Sequence, residues 1–303
     1  MNDEETFQYY LSKELNVHVN NYGVGNYGLD QGILRMKRRF ENDKSKYSIM
    51  AVTYASVARI LSVWKHYHEF GNTFAVKPRF ILDENNEIKL IESPVEKRED
   101  LLNLEEFKDF FHQYDYHYEN WFLKHQINWG QYSYNLFKKP IILKSVIWIL
   151  LNKLERKLDF EIPVINCKEN YNKVGKKRRK IKYKELVEYH KSLFLKFEEL
   201  FIKLIGEFVK FSKNNNAVPI FLPLKQRRYL EYEFENGSIF ERIGNKLKEK
   251  YPDLIICNVS EKLHNKVENV NELYVGGHGH YSPKANQMIA DSLSNIIKDL
   301  DCE

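Results

Sequence analysis

Three short runs of β-favouring apolar residues, Tyr47–Tyr54 (YSIMAVTY), Val218–Pro223 (VPIFLP) and Leu254–Val259 (LIICNV), adjoin stretches with helical spacing. Continuous apolar runs suit strands covered on both faces, and strands alternating with helices imply a parallel sheet. The rest of the chain is read around that frame. Thr6–Leu15 has helical spacing, with Phe7, Tyr10, Leu11 and Leu15 on one side. Val17–Tyr22 reads as a short strand ending in the glycine-rich turn Gly23–Gly28, and a helix follows from about Asp30 to Phe40. Ala55–His68 reads as a helix. Arg79–Leu82 and Ile88–Ile91 flank Asp83–Glu87 as a hairpin. Residues 101 to 160 read as mostly helical, 168 to 184 as a polar basic loop, and Lys184–Lys213 as one long helix. Ser238–Lys250 reads as a helix and Glu272–Val275 as a short extended piece. Ser282-Pro283 suits the N-cap and first turn of a closing helix to Lys298.

Composition removes several function classes. No apolar run reaches the ~20 residues a membrane span needs; Ile141–Leu151 is broken by Lys144. The acidic start (Asp3, Glu4, Glu5) is unlike a signal peptide, so a cytoplasmic setting is the expectation. The three cysteines, Cys167, Cys257 and Cys302, lie far apart, which argues against a disulfide framework or a structural zinc site. Of the net charge of +5, the run Lys176, Lys177, Arg178, Arg179, Lys180, Lys182 and Lys184 carries the excess. Without it the chain is close to neutral, which weakens a nucleic-acid reading; gripping a polyanion through that loop stays as an alternative.

Two stretches carry the chemistry. Leu273–Ala290 (LYVGGHGHYSPKANQMIA) sets His280 in a glycine-rich loop two residues before a capped helix. A part-exposed imidazole held there suits a general base. Asn20–Gln31 (NNYGVGNYGLDQ) is a glycine-rich turn that can aim backbone N–H groups at an oxyanion. The two stretches resemble the last and second motifs of the SGNH (GDSL-type) hydrolases. His280, Ser282, Pro283, Ala285, Met288, Ile289 and Ala290 fit the last motif. The acid that family places two or three residues before its histidine is replaced by Gly277 and His278. A histidine cannot supply the negative charge that steadies an imidazolium. The third motif contributes an asparagine to the oxyanion hole; here the strand Tyr47–Tyr54 leads to Ser56 instead. Residues 1 to 11 resemble the segment that follows the family's Gly-Asp-Ser motif. The serine and its strand are therefore expected ahead of residue 1, or are missing.

The resemblance covers the rhythm of residues 1 to about 92 and about 217 to 298. It implies a three-layer α/β/α flavodoxin-like sandwich with a mainly parallel sheet, forming a single domain over 1–303 with a helical insertion at about 93–184. It also implies an ester hydrolase or acyl transferase, acting on an acyl ester or acylated glycan, that needs no cofactor and no metal and that is inactive as residues 1–303 stand, because they lack the serine motif. His280 is the candidate base and His278 the second catalytic candidate. Gly25, Asn26 and Ser56 are the oxyanion-hole candidates. A non-catalytic binding relative is the alternative, motivated by the missing serine, asparagine and acid. A sheet lacking its first strand would also have an open edge, through which the chain could self-associate. Among the remaining residues, His66 and His68 read as an exposed helix face. Trp121, Trp129 and Trp148 read as core, with sugar stacking as the sharper alternative. Cys257 reads as packed in its strand.

Overall fold

A computed structural model describes residues 2–69, 72, 74–123, 187–236, 239–259, 263, 270–275 and 279–302. Its elements in chain order begin with α1 (Phe7–Leu15), α2 (Leu29–Arg39), β1 (Tyr47–Thr53) and α3 (Tyr54–Arg59). The hairpin β2 (Arg79–Leu82) and β3 (Ile88–Ile91) follows, and then α4 (Lys108–Tyr114). After a helical run over 187–196 come α5 (Glu198–Asn214), β4 (Val218–Leu224), α6 (Arg227–Asn236), α7 (Ile239–Lys250) and β5 (Ile255–Ile256). The chain closes with β6 (Tyr274–Val275), β7 (His280–Tyr281) and α8 (Pro283–Cys302).

The fold is mixed α/β. Its main sheet is parallel, in the order β1-β4-β5. β1 and β4 pair along seven residues each, from Tyr47 opposite Val218 to Thr53 opposite Leu224. β4 is buried along its middle five residues because helices cover both of its faces. Strand alternation sorts its side chains. Phe221 joins a cluster with Val52, Ile33, Phe201, Phe208 and Ile243 from β1, α2, α5 and α7. Ile220 and Leu222 join one with Leu11 of α1 and Ile289, Leu293 and Ile297 of α8. The expected α1 face is thus the buried one: Leu11 is buried, and Phe7, Tyr10 and Leu15 pack around it.

Five expected elements differ. Val17–Tyr22 forms no strand. His18 bonds Asn20 at 2.8 Å, and the Asn21 side chain accepts from Gly23 N–H at 3.0 Å, local bonds that compete with a ladder. The helix expected to reach His68 ends at Arg59. Beyond it, Asp115 accepts the N–H groups of Val63 at 2.7 Å and Trp64 at 2.9 Å, and Trp64 forms a bridge with Val76 instead. The long helix ending in Asn214 breaks at Phe197, whose backbone leaves helical geometry (φ −112°, ψ 24°). β5 pairs over only two residues, extended by Cys257 N–H bonding Phe221 C=O at 2.9 Å. That bond shows that Phe221 faces β5, so Pro219 and Pro223, two residues either side, face it too. Neither has an N–H to donate, which brackets the ladder. Glu272 and Leu273 belong to a 3₁₀ turn, Val270–Leu273, and only Tyr274 and Val275 are extended.

The expected helical character of residues 101 to 123 takes the form of 3₁₀ turns, α4 and a π turn at Tyr118–Phe122. Trp129, Trp148, Cys167, the basic run 176–184 and the expected loop 168–184 lie outside the described residues. Cys257 is buried, as read. No helix of the described residues is long and apolar enough to cross a membrane.

Candidate functional site

The parallel pairing of β1 and β4 puts both C-terminal ends on one rim, the side where open α/β sheets bind ligands. Three stretches distant in sequence meet that rim.

The first is the start of α3, directly after β1. Ser56 Oγ lies 3.1 Å from Thr53 Oγ1, and Ser56 is half-buried.

The second is the glycine turn. Asn26 adopts φ +70°, in the left-handed region, and its side chain accepts from Arg59 Nη2 of α3 at 3.2 Å. Gly25 is exposed, with open space around its Cα. Gly28 lies against α3, since a Cβ there would come within 3.3 Å of the Arg59 backbone. Gln31 caps the following helix by accepting Gly28 N–H at 3.1 Å. The neighbouring Asp30 is fully buried and ion-paired with Lys77. Burial pushes the Lys77 ammonium down, and Asp30 resists that shift. Arg59 also donates from Nε to Glu69 at 2.9 Å. Burial alone would raise Glu69, but Arg59 and Lys65 outweigh it and hold the carboxyl below its ordinary range.

The third is the loop before α8. Gly279 has φ +77°, which disfavours any side chain, and a Cβ there would sit 3.5 Å from Arg227 N and Gln226 Cβ. The loop therefore rests on the segment directly after β4. In the β6–β7 pair Val275 faces His280 and Tyr274 faces Tyr281. Alternation turns Tyr281 inward, its ring stacked on Tyr274 with centroids 5.3 Å apart. It turns the His280 side chain outward, where it is exposed. Ser282 caps α8 as the Ser-Pro pattern predicts, accepting Ala285 N–H at 3.3 Å. His278 lies outside the described residues.

A network that the sequence did not disclose lies beneath this rim. Lys225, just past β4, is buried and ion-paired with buried Glu233 of α6. Glu233 also accepts a hydrogen bond from Tyr54 Oη, at the first residue of α3. Lys225 N–H donates to Tyr281 Oη, and Tyr274 Oη donates to Lys225 C=O, both at 2.8 Å. Tyr54 and Glu233 are 179 positions apart, so no local pattern joins them.

A second constellation corrects the reading of His68 as exposed. Its side chain is 4% exposed. His68 stacks on His117, with centroids 4.3 Å apart, and its Nε2 lies 3.2 Å from Nε2 of His190. His66 is half-buried against Trp64, Tyr67 and Phe122. His117 Nε2 contacts Ala58 C=O at 2.9 Å, so that nitrogen carries the proton, and Nδ1 accepts from Tyr189 Oη at 2.9 Å. Burial pushes His117 down to about 3 and, with His117 beside it, holds His68 well below the ordinary histidine range. Among the described residues no cluster of three or more metal-type ligands forms. A surface groove of about 700 Å³ between α5 and α7 has two of its lysines paired to Glu198 and Glu199, which balances those charges internally.

Compared with family models, curated proteins and solved structures, the chain matches none.

Proposed function

We propose that this protein is an SGNH-type ester hydrolase or acyl transferase acting on acylated glycans, with a three-layer flavodoxin-like α/β/α architecture. One observation carries the reading. The glycine turn packs on Arg59 at the end of α3, the helix that leaves β1, and the His280 loop rests on Gln226 and Arg227 just past β4, so three distant parts of the chain lie against the segments that leave the C-terminal ends of β1 and β4.

In this reading a serine of the Gly-Asp-Ser type attacks the ester carbonyl, and exposed His280 takes its proton. The carbonyl oxygen gains charge and is held by backbone N–H groups of the Gly25–Asn26 turn and by Ser56. His280 returns the proton to the departing alcohol. Water or a glycan hydroxyl then attacks the acyl-serine, giving its proton to His280, which passes it to the departing serine oxygen. β1 is an edge strand among the described residues. No cofactor enters this chemistry.

The test uses the protein purified from its own source, with its mass and N-terminal sequence determined first. Acetylated oligosaccharides should be turned over, and His280→Ala should lower kcat by about 10²–10⁴-fold. Turnover unchanged by that substitution would overturn the proposal.

A second reading, a non-catalytic glycan-binding relative, is favoured by the replacement of the family's acid by Gly277 and His278 and of its third-motif asparagine by Ser56. It predicts glycan binding without His280-dependent turnover. Binding to nucleic acid through residues 176–184 and self-association through the β1 edge are weaker proposals. Strong salt dependence tests the first. Sedimentation of a β1 edge variant tests the second.

A further inference from the structure

We propose that Glu233 is a positioning residue: with Lys225, Tyr54 and Tyr281 it sets the His280 loop against the start of α3. This rests on the ester-handling reading of the rim.

Each link is short, and all but the part-buried Lys225–Tyr281 bond are buried. The Glu233 carboxylate takes a hydrogen bond from Tyr54 and a charge from Lys225, so one side chain of α6 joins the ends of β1 and β4. Both members of the ion pair have side chains 6% exposed. A buried pair of this kind holds its geometry tightly, because separating the charges leaves each uncompensated. The Lys225 backbone then passes that position on. Its N–H holds Tyr281 and its C=O holds Tyr274, the two inward residues of the β6–β7 pair. His280 is adjacent to Tyr281 in sequence and faces the other way, so fixing the inward ring fixes where the outward imidazole stands. Two residues beyond Tyr54 lies Ser56. The groups proposed to hold the oxyanion and to move the proton thus share one anchor that touches neither substrate nor reacting atoms.

The experiment compares wild type, Glu233→Gln, Tyr281→Phe and His280→Ala, after denaturation curves establish that each is folded. Amide hydrogen exchange at Gly279–Ser282 should rise by about tenfold in Glu233→Gln and Tyr281→Phe, with the middle of α8 unchanged. In the same two variants kcat on an acetylated oligosaccharide should fall by about 10–100-fold with KM unchanged, since misplacing a catalytic group costs rate rather than binding. Exchange at the loop within about twofold of wild type in both variants would overturn the inference, whatever the activity. So would unchanged kcat in Glu233→Gln when His280→Ala is inactive. Failure of the ester reading alone would show as turnover insensitive to His280→Ala alongside raised loop exchange in Glu233→Gln.

Discussion

His280 and the group formed by His68, His117 and His190 place the same side chain in two opposite settings. On the rim, His280 stands in solvent on a two-residue strand, held through its neighbour Tyr281 rather than through itself. In the interior, His117 has both ring nitrogens bonded, to Ala58 C=O and Tyr189 Oη, and two further imidazoles lie close by. An imidazole that must exchange protons with a substrate needs access to it. One that joins packed elements needs the reverse, since a charge there is uncompensated. Burial therefore separates a histidine suited to chemistry from histidines suited to architecture, and residue type alone does not.

The comparison breaks if substitution in the interior group proves harmless. The largest effect is expected at Asp115. It accepts from Ser62 Oγ and from the N–H groups of Val63, Trp64 and His117, all at 2.7–2.9 Å. Asp115→Ala strands those donors in a buried site and should cost about 3–5 kcal/mol in urea denaturation.

Acid comes next. The folded chain holds His117 at about 3, whereas an unfolded histidine titrates near ~6.5. The unfolded state binds more protons between those values, so stability present above pH ~6.5 is lost as pH falls toward about 3. The slope should approach ~1.4 kcal/mol per pH unit for this residue, and His68 adds in the same direction. Denaturation midpoints flat from pH 7 to 5 would contradict the buried, neutral assignment.

Tyr189→Phe removes the donor to His117 Nδ1 and should cost about 1 kcal/mol by the same assay. The smallest change belongs to the rim. His280→Ala should shift stability by less than about 0.5 kcal/mol, while abolishing the proposed turnover. A large loss of stability there would make His280 an architectural residue and erase the contrast.

Much of the frame was legible because it depends on local patterns. β1 and β4 were readable as apolar runs, α1 from its spacing, the hairpin from its Asp83–Glu87 turn, and the start of α8 from Ser282-Pro283. Pro219 and Pro223 held the information that shortens β5, but only once it was known which edge of β4 they face. The end of α3 was not legible, since the carboxylate that captures the Val63 and Trp64 N–H groups lies some fifty residues on. The burial of His68 was missed for the same reason: its neighbours, His117 and His190, come from later segments.

For the candidate site, the sequence by itself marked His280, Gly25, Asn26 and Ser56 as residues able to do chemistry. Glycine content, a capped helix start and hydroxyl or imidazole groups are properties of neighbouring residues. Only the tertiary structure decided that the glycine turn packs on α3, that the His280 loop rests just past β4, and that Glu233, Lys225, Tyr54 and Tyr281 join in one network. A buried charge is tolerable only where a partner from elsewhere in the chain meets it, and folding alone brings that partner there.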